Sequence, residues 1–214
     1  MSLFRSLAAK AINAFQDVRD VSPDAAGDIP DGTVVRVAGE VRAGGAVRDP
    51  LFGVEAAVPL LVREVEMRQY REILRGARRD QDFVYDLEWS ARDLNRRMTA
   101  MGRTRYRNPP FAYRTERFPS PDARLGRWRL DPAVARHLPA TLPVEEEGVL
   151  EYRLPDRVFH RQDGWLVEGG HHGALRVRHL AGPKGPVTVT AVVQGDRLVP
   201  QEVLGKKLVD VDDA

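Results

Sequence analysis

Two sets of side chains in this 214-residue chain have the types needed for chemistry: the late histidines His160, His171, His172 and His179, and the acidic residues Glu64, Glu66 and Glu88. Divalent metals take imidazole readily, but a catalytic zinc centre needs about three ligands converging from fixed elements. His171 and His172 are adjacent, so on a strand they would point to opposite faces, and the glycines around them favour a turn. No metal site is expected. Glu64 and Glu66 share one face of an extended segment, and Glu88 lies within reach if the chain folds back on itself, a pattern that general acid and base work would require. Arg63, Arg68 and Arg71 are interleaved with them, and alternating charges on a half-exposed sheet favour plain cross-strand pairing. The chain has no cysteine, no nucleophile elbow, no phosphate-cradling glycine loop and no dinucleotide fingerprint. The expected protein is therefore not an enzyme, and no cofactor is expected.

The element that must position these carboxylates is a long antiparallel hairpin. Val65, Met67 and Gln69 alternate with Glu64, Glu66, Arg68 and Tyr70, and Phe83, Tyr85, Leu87 and Trp89 alternate with Val84, Asp86, Glu88 and Ser90. Period two marks both stretches as strands, and residues 72–82 between them, mostly Arg, Asp, Gln, Gly and Ala, suit an exposed loop. Met67 opposite Trp89 would place Arg68 against Glu88 and Gln69 against Leu87, matching opposite charges and grouping apolar side chains. In that arrangement Trp89 is a core anchor. Ahead of the hairpin, Asp49-Pro50-Leu51-Phe52-Gly53 has turn chemistry: Pro50 fixes φ, Asp49 can bond nearby amides, and Gly53 can take a positive φ.

The motifs Asp49-Pro50-Leu51-Phe52-Gly53-Val54, Val65-Glu66-Met67-Arg68-Gln69-Tyr70, Glu88-Trp89 and Asn108-Pro109 occur in that order. They are followed by Leu125-Gly126-Arg127, Gly173-Ala174-Leu175-Arg176-Val177 and Gly195-Asp196-Arg197-Leu198-Val199-Pro200. Together they resemble the soluble domain of the LUMA family (transmembrane protein forty-three), over about residues 31–200. The resemblance implies a β-rich domain outside the bilayer that organises other proteins and has no known catalytic activity. It marks Asp49, Gly53, Glu66, Gln69, Glu88, Trp89, Asn108 and Pro109 as motif and binding candidates. The family's membrane helices have no counterpart here, since no run of eighteen apolar residues occurs.

An amphipathic helix is expected over residues 3–18, with Phe4, Leu7, Ala8, Ala11, Ile12 and Phe15 at three-and-four spacing. Phe4, Leu7, Ile12 and Phe15 are its membrane-contact candidates. The stripe suits three settings: docking on the β core, peripheral contact with an anionic membrane, or self-association. A cytoplasmic or peripheral-membrane protein with protein partners is the corresponding expectation.

The formal net charge of +2 conceals an asymmetry: residues 61–130 hold 17 basic and 10 acidic side chains, and residues 131–214 hold 10 and 13. Residues 103–118 combine arginines with Tyr106, Phe111, Tyr113 and Phe118, the ingredients of a stacking surface for single strands. No nucleic-acid-binding module accompanies them, and strands bury aromatics for their own cores, so nucleic acid is not the expected partner. Short strands separated by glycine and proline turns continue to the C-terminus. The whole reads as mainly β: two β-rich subdomains of small barrel or sandwich type, residues 33–140 and 141–214, behind a linker over 21–32, with one or two short helices.

Overall fold

The computed structural model describes residues 18–25, 29–76, 82–144, 148, 150–203 and 206–213. The amino-terminal helix expected over residues 3–18, with its candidates Phe4, Leu7, Ile12 and Phe15, lies outside the described residues except for Val18. The protein is mainly β, with two eight-stranded sheets and only short helical segments among the described residues. It divides into two compact units, and these are not sequential halves meeting near residue 140. One takes the described parts of 1–62, 117–144 and 180–214, the other those of 63–116 and 145–179.

In the first unit the strand order is Arg19–Val21, Val34–Gly39, Val187–Gln194, Arg197–Val199, Trp128–Leu130, Arg124–Leu125 and Val41–Arg42, with Asp210–Asp213 also paired to Val187–Gln194. Val34–Gly39 and Val41–Arg42 are one stretch interrupted only at Glu40, so a path leaving the first returns to the second. The path through the sheet thus returns to the stretch it started from, while Arg19–Val21 and Asp210–Asp213 each pair on one side only. Val187, Val189, Ala191 and Val193 alternate inward, and with Val35, Val37, Leu125, Trp128 and Leu198 they fill the interior. The expected linker over 21–32 is in part structured, because Arg19–Val21 pairs in parallel with Val35 to Val37.

Two local features of this unit arise from residues close in sequence. Asp131 accepts from the Ala133 amide at 2.8 Å and Pro132 opens the helix Pro132–Ala135, whose Val134 and Ala135 enter the core. The Asp49 motif closes a hairpin loop between Val47–Arg48 and Glu55–Ala56. There the Gly53 amide donates to the Asp49 carbonyl at 2.8 Å, the Leu51 amide donates to Asp49 Oδ1 at 3.0 Å, and Gly53 has a φ of 73°. Asp49 and Phe52 are buried beneath it, so Asp49 and Gly53 are structural positions. Elsewhere in the unit, a Cβ built on Gly182 would fall against the carbonyl oxygen of Pro139 and the backbone of Ala140. Gly182→Ala is expected to destabilise by about 1–3 kcal/mol, the usual cost of overpacking, measurable as a lower midpoint in urea; an unchanged midpoint would mean residues 139–140 shift freely.

The second unit is built on the strand order Glu151–Leu154, Arg157–Gln162, Trp165–Val167, Leu175–Gly182, Leu60–Arg75 and Asp82–Ser90. Leu60–Arg75 and Leu175–Gly182 pass from one unit into the other without a break. Asp163 and Gly164, both at positive φ (50° and 75°), make the tight turn between the strands on either side of them. Residues 111–115 lie outside any strand and Glu116–Pro119 forms one, while the arginine-rich stretch after Trp89 holds a 3-10 turn, Leu94–Arg97, and a separate helix, Ala100–Arg105.

The organising hairpin forms, but one residue out of the expected register. Met67 faces Ser90, Arg68 faces Trp89, Gln69 faces Glu88 and Tyr70 faces Leu87. A one-residue slip exchanges the faces of the partner strand. Trp89 therefore shares its face with Arg68 and Tyr70 rather than with buried Met67, and it is half-buried instead of being a core anchor. Two causes favour this register. Gln69, fully buried, donates to the Ser90 and Arg92 carbonyls at 3.2 and 2.8 Å and accepts from the Leu94 amide at 3.1 Å, pinning the end of the partner strand. Opposite charges then meet diagonally, Arg71 with Glu88 at 3.0 Å and Arg75 with Asp86 at 3.4 Å, so direct opposition of Arg68 and Glu88 is not required.

Candidate functional site

The motif residues of the second unit gather into two clusters. The first surrounds Asn108, which is 2% exposed. The Arg68 amide donates to the Ala174 carbonyl and the Gly173 amide to the Arg68 carbonyl, and there the neighbouring chain turns away from the strand. One step further, at Tyr70, the carboxamide of Asn108 takes over: Oδ1 accepts from the Tyr70 amide at 2.7 Å and Nδ2 donates to the Tyr70 carbonyl at 3.0 Å. The side chain thus stands in for a strand. Asn95 repeats the device, its carboxamide bonding the backbone amide and carbonyl of Asn108 at 2.9 and 3.0 Å. With Gln69, three carboxamides satisfy backbone groups that no strand reaches, as buried polar groups require.

His172 completes the cluster, with Nε2 2.9 Å from Asn108 Oδ1. Because that oxygen already accepts from Tyr70, the ring nitrogen must be the donor, which places the neutral imidazole's proton on Nε2. Burial first, and the charge of His171 second, hold its pKa below the usual 6.5. The ring rests on Tyr70 at 4.6 Å; Tyr70 meets Tyr106 edge-on at 5.2 Å, and Tyr106 stacks on Tyr85 at 3.9 Å. A histidine whose folded pKa is depressed stabilises the fold fully above about pH 6.5, and that contribution is lost as pH falls through the lower folded value. The wild type should therefore melt lower at pH 5 than at pH 7.5, and His172→Gln, which keeps a donor but cannot titrate, should narrow the gap. A gap of unchanged size would remove His172 as its source.

Residues 109–114 cross from one edge of Leu60–Arg75 to the other. Asn108 engages Tyr70 on the edge shared with Leu175–Gly182, and on the opposite edge the Val65 amide donates to Thr115 Oγ1 at 3.0 Å. Beside the crossing lies an open groove of about 850 Å³. Val65, Phe111 and exposed Pro109 and Pro110 give it an apolar floor and wall, and Arg96, Arg107 and Arg114 line it with Asp93. Arg107 and Arg114 have no ion pair among the described residues, and the Arg96–Asp93 pair is long at 4.0 Å.

The second cluster is an alternating ladder of arginines and tryptophans further along the same strands, on the face that carries Tyr70. Arg68 lies over Trp89 with Cζ 5.7 Å from the ring centroid; Arg176 is 4.9 Å from Trp89 and 4.3 Å from Trp165; Arg178 is 4.3 Å from Trp165. Carboxylates fasten the rungs: Arg178 donates to Glu64 at 2.6 Å and Arg176 to Glu66 at 2.7 Å, with a second, shorter contact between Arg176 and Glu66. Stacked cation–π contacts of this kind are individually worth about 0.5–1 kcal/mol at exposed sites and more where water is excluded.

The acidic residues considered for paired chemistry are thus separated. Glu66 is held by Arg176, Glu64 by Arg178 and Glu88 by Arg71 on the opposite face of the hairpin. Neither Glu66 nor Glu88 lines the groove with His172 or the smaller pocket with His160. Among the described residues no group of three or more His, Asp or Glu could hold a metal. Tyr106, a candidate base-stacking residue, is covered by Tyr85. Asn95, Trp165, Arg176 and Arg178 escape sequence reasoning as site residues. The available signal is the alternation Glu64-x-Glu66 set against Arg176-x-Arg178, which predicts two adjacent strands with complementary faces.

Comparison with protein-family models, curated proteins and solved structures finds no match for the chain. The resemblance to the LUMA family rests on the sequence motifs alone. Among the described residues no helix is long and apolar enough to cross a membrane.

Proposed function

We propose that the chain is a non-enzymatic adaptor or scaffold domain of the LUMA type, and that the groove beside residues 109–114 receives an extended, acidic segment of a protein partner. One observation carries the reading: the motif carboxylates and carboxamides are engaged in holding the chain, while the groove presents Arg107 and Arg114, without ion pairs among the described residues, beside exposed prolines and Phe111. A surface of that kind attracts negative charge over a distance and offers apolar contact on arrival. Pro109-Pro110 and the rigid carboxamide anchors keep the groove ordered before binding, which lowers the entropic cost of association.

The test uses fluorescence polarisation of the full chain with peptides that alternate glutamate and apolar residues, and with lysine-for-glutamate counterparts. The acidic peptides should bind preferentially and release as salt rises. Arg107→Glu with Arg114→Glu should weaken binding at least tenfold with an unchanged melting temperature. Equal binding of acidic and basic peptides, or no loss in the double variant, would refute the assignment.

A further inference from the structure

The ladder ends one carboxylate short. Glu64 holds Arg178 and Glu66 holds Arg176, so each step of two residues along one strand is matched by a step of two along the other. The next step brings Arg68 to Ala174, as the bond from the Arg68 amide to the Ala174 carbonyl confirms, and alanine has no charge to offer. Arg68 has no ion pair among the described residues, and its Nε is shielded from solvent without a hydrogen-bond partner. A guanidinium part-buried in this way is costly unless an anion completes it. It faces a pocket of about 420 Å³ that also exposes Trp89, Trp165 and Arg176 and is bounded by residues 167–170. The other guanidinium there is neutralised by Glu66. Glu168 in the wall is likewise neutralised, accepting from Arg157 Nη1 at 2.8 and 2.7 Å.

We infer that this pocket is a binding site for a monocarboxylate attached to a flat or apolar group, the carboxylate pairing with Arg68 and the apolar part lying against Trp89 and Trp165. The site is separate from the groove of the adaptor reading. A single unmatched positive charge suits a monoanion, and Asp163 on the rim works against a dianion such as phosphate. The fork of an arginine fits a carboxylate in two-point fashion, and the volume lies in the range of small-ligand clefts. The carboxylate can belong to a free acid or to an acidic side chain beside an aromatic residue in a partner, two sources with the same recognition chemistry.

The three tryptophans, Trp89, Trp128 and Trp165, give three indole N–H resonances in a nitrogen-15 spectrum of the full chain. Phenylacetate is expected to shift those of Trp89 and Trp165 saturably and leave that of Trp128, buried in the first unit, unmoved. Phenylacetamide, of the same shape without the charge, and inorganic phosphate, charged without the ring, should each bind at least tenfold more weakly. A blocked Phe-Glu dipeptide titrated in parallel assigns the source: tighter binding than phenylacetate indicates a partner segment, weaker binding a free acid. Arg68→Met should weaken phenylacetate at least tenfold. If that variant fails to fold, the comparison of acid with amide on the wild type still decides. Equal shifts by acid and amide, shifts that include Trp128, no shift at all, or undiminished binding by folded Arg68→Met would each overturn the site.

Discussion

Trp128→Ala is expected to unfold the first unit or lower its melting temperature sharply, whereas Trp89→Ala should leave the chain folded. Trp128 is fully buried among Val35, Leu125, Leu130 and Leu198. Removing such a ring costs about 3–5 kcal/mol, a large part of the roughly 5–15 kcal/mol that holds a typical protein folded. Trp89 is half-buried and contacts Arg68 and Arg176 through its faces. Its loss removes two cation–π contacts of about 0.5–1 kcal/mol each and some apolar burial, with the sheet beneath intact. Trp128→Phe supplies the control. The indole N–H of Trp128 has no partner among the described residues, so phenylalanine gives up volume but also relieves an unsatisfied donor, and should cost much less than alanine. Urea denaturation of the three variants gives the ranking. A larger loss for Trp89→Ala than for Trp128→Ala would place Trp89 in a core and require the other hairpin register.

That contrast shows where sequence reasoning stops. Alternation identifies Leu60–Arg75 and Asp82–Ser90 as strands, but a slip of one residue leaves the alternation of each untouched. The register is set by Gln69 reaching Ser90, Arg92 and Leu94, contacts that neither strand announces alone. The Asp49 loop was legible for the same reason that register was not: its bonds join residues within five positions of one another. The division into units was largely hidden because three of its four boundaries fall in mid-strand, between Val62 and Arg63, between Glu116 and Arg117 and between His179 and Leu180; only the one at Val144 is marked in the sequence, by the three glutamates that follow it. The ladder joins Glu66 to a residue 110 positions away, and Asn108 to Tyr70 spans 38. The motifs therefore named many of the right residues, Glu66, Gln69, Trp89 and Asn108 among them, without indicating that they serve two surfaces.

Asn108→Asp should destabilise the second unit by about 3 kcal/mol or more at neutral pH, although it changes almost no volume. The new carboxyl keeps an acceptor for the Tyr70 amide and for His172, but its second oxygen would face the Tyr70 carbonyl where Nδ2 now donates. Two acceptors without a proton repel, and a charge at a position 2% exposed is poorly solvated. Both effects favour the protonated acid in the folded chain, raising its pKa above the ordinary carboxylate value of about 3.9. A group whose folded pKa is raised has its most favourable contribution below the unfolded pKa and loses it as pH rises through the folded value. The deficit of Asn108→Asp should therefore grow between pH 4.5 and pH 7.5. Asn108→Ala also strands the amide and carbonyl of Tyr70, but it introduces no titrating group, so its deficit should lack that rise. Urea denaturation of both variants beside the wild type at the two pH values separates the cases. Parallel deficits, or an aspartate variant as stable as the wild type at pH 7.5, would mean that the Tyr70 carbonyl finds another donor and that Asn108 is not the surrogate strand holding the groove.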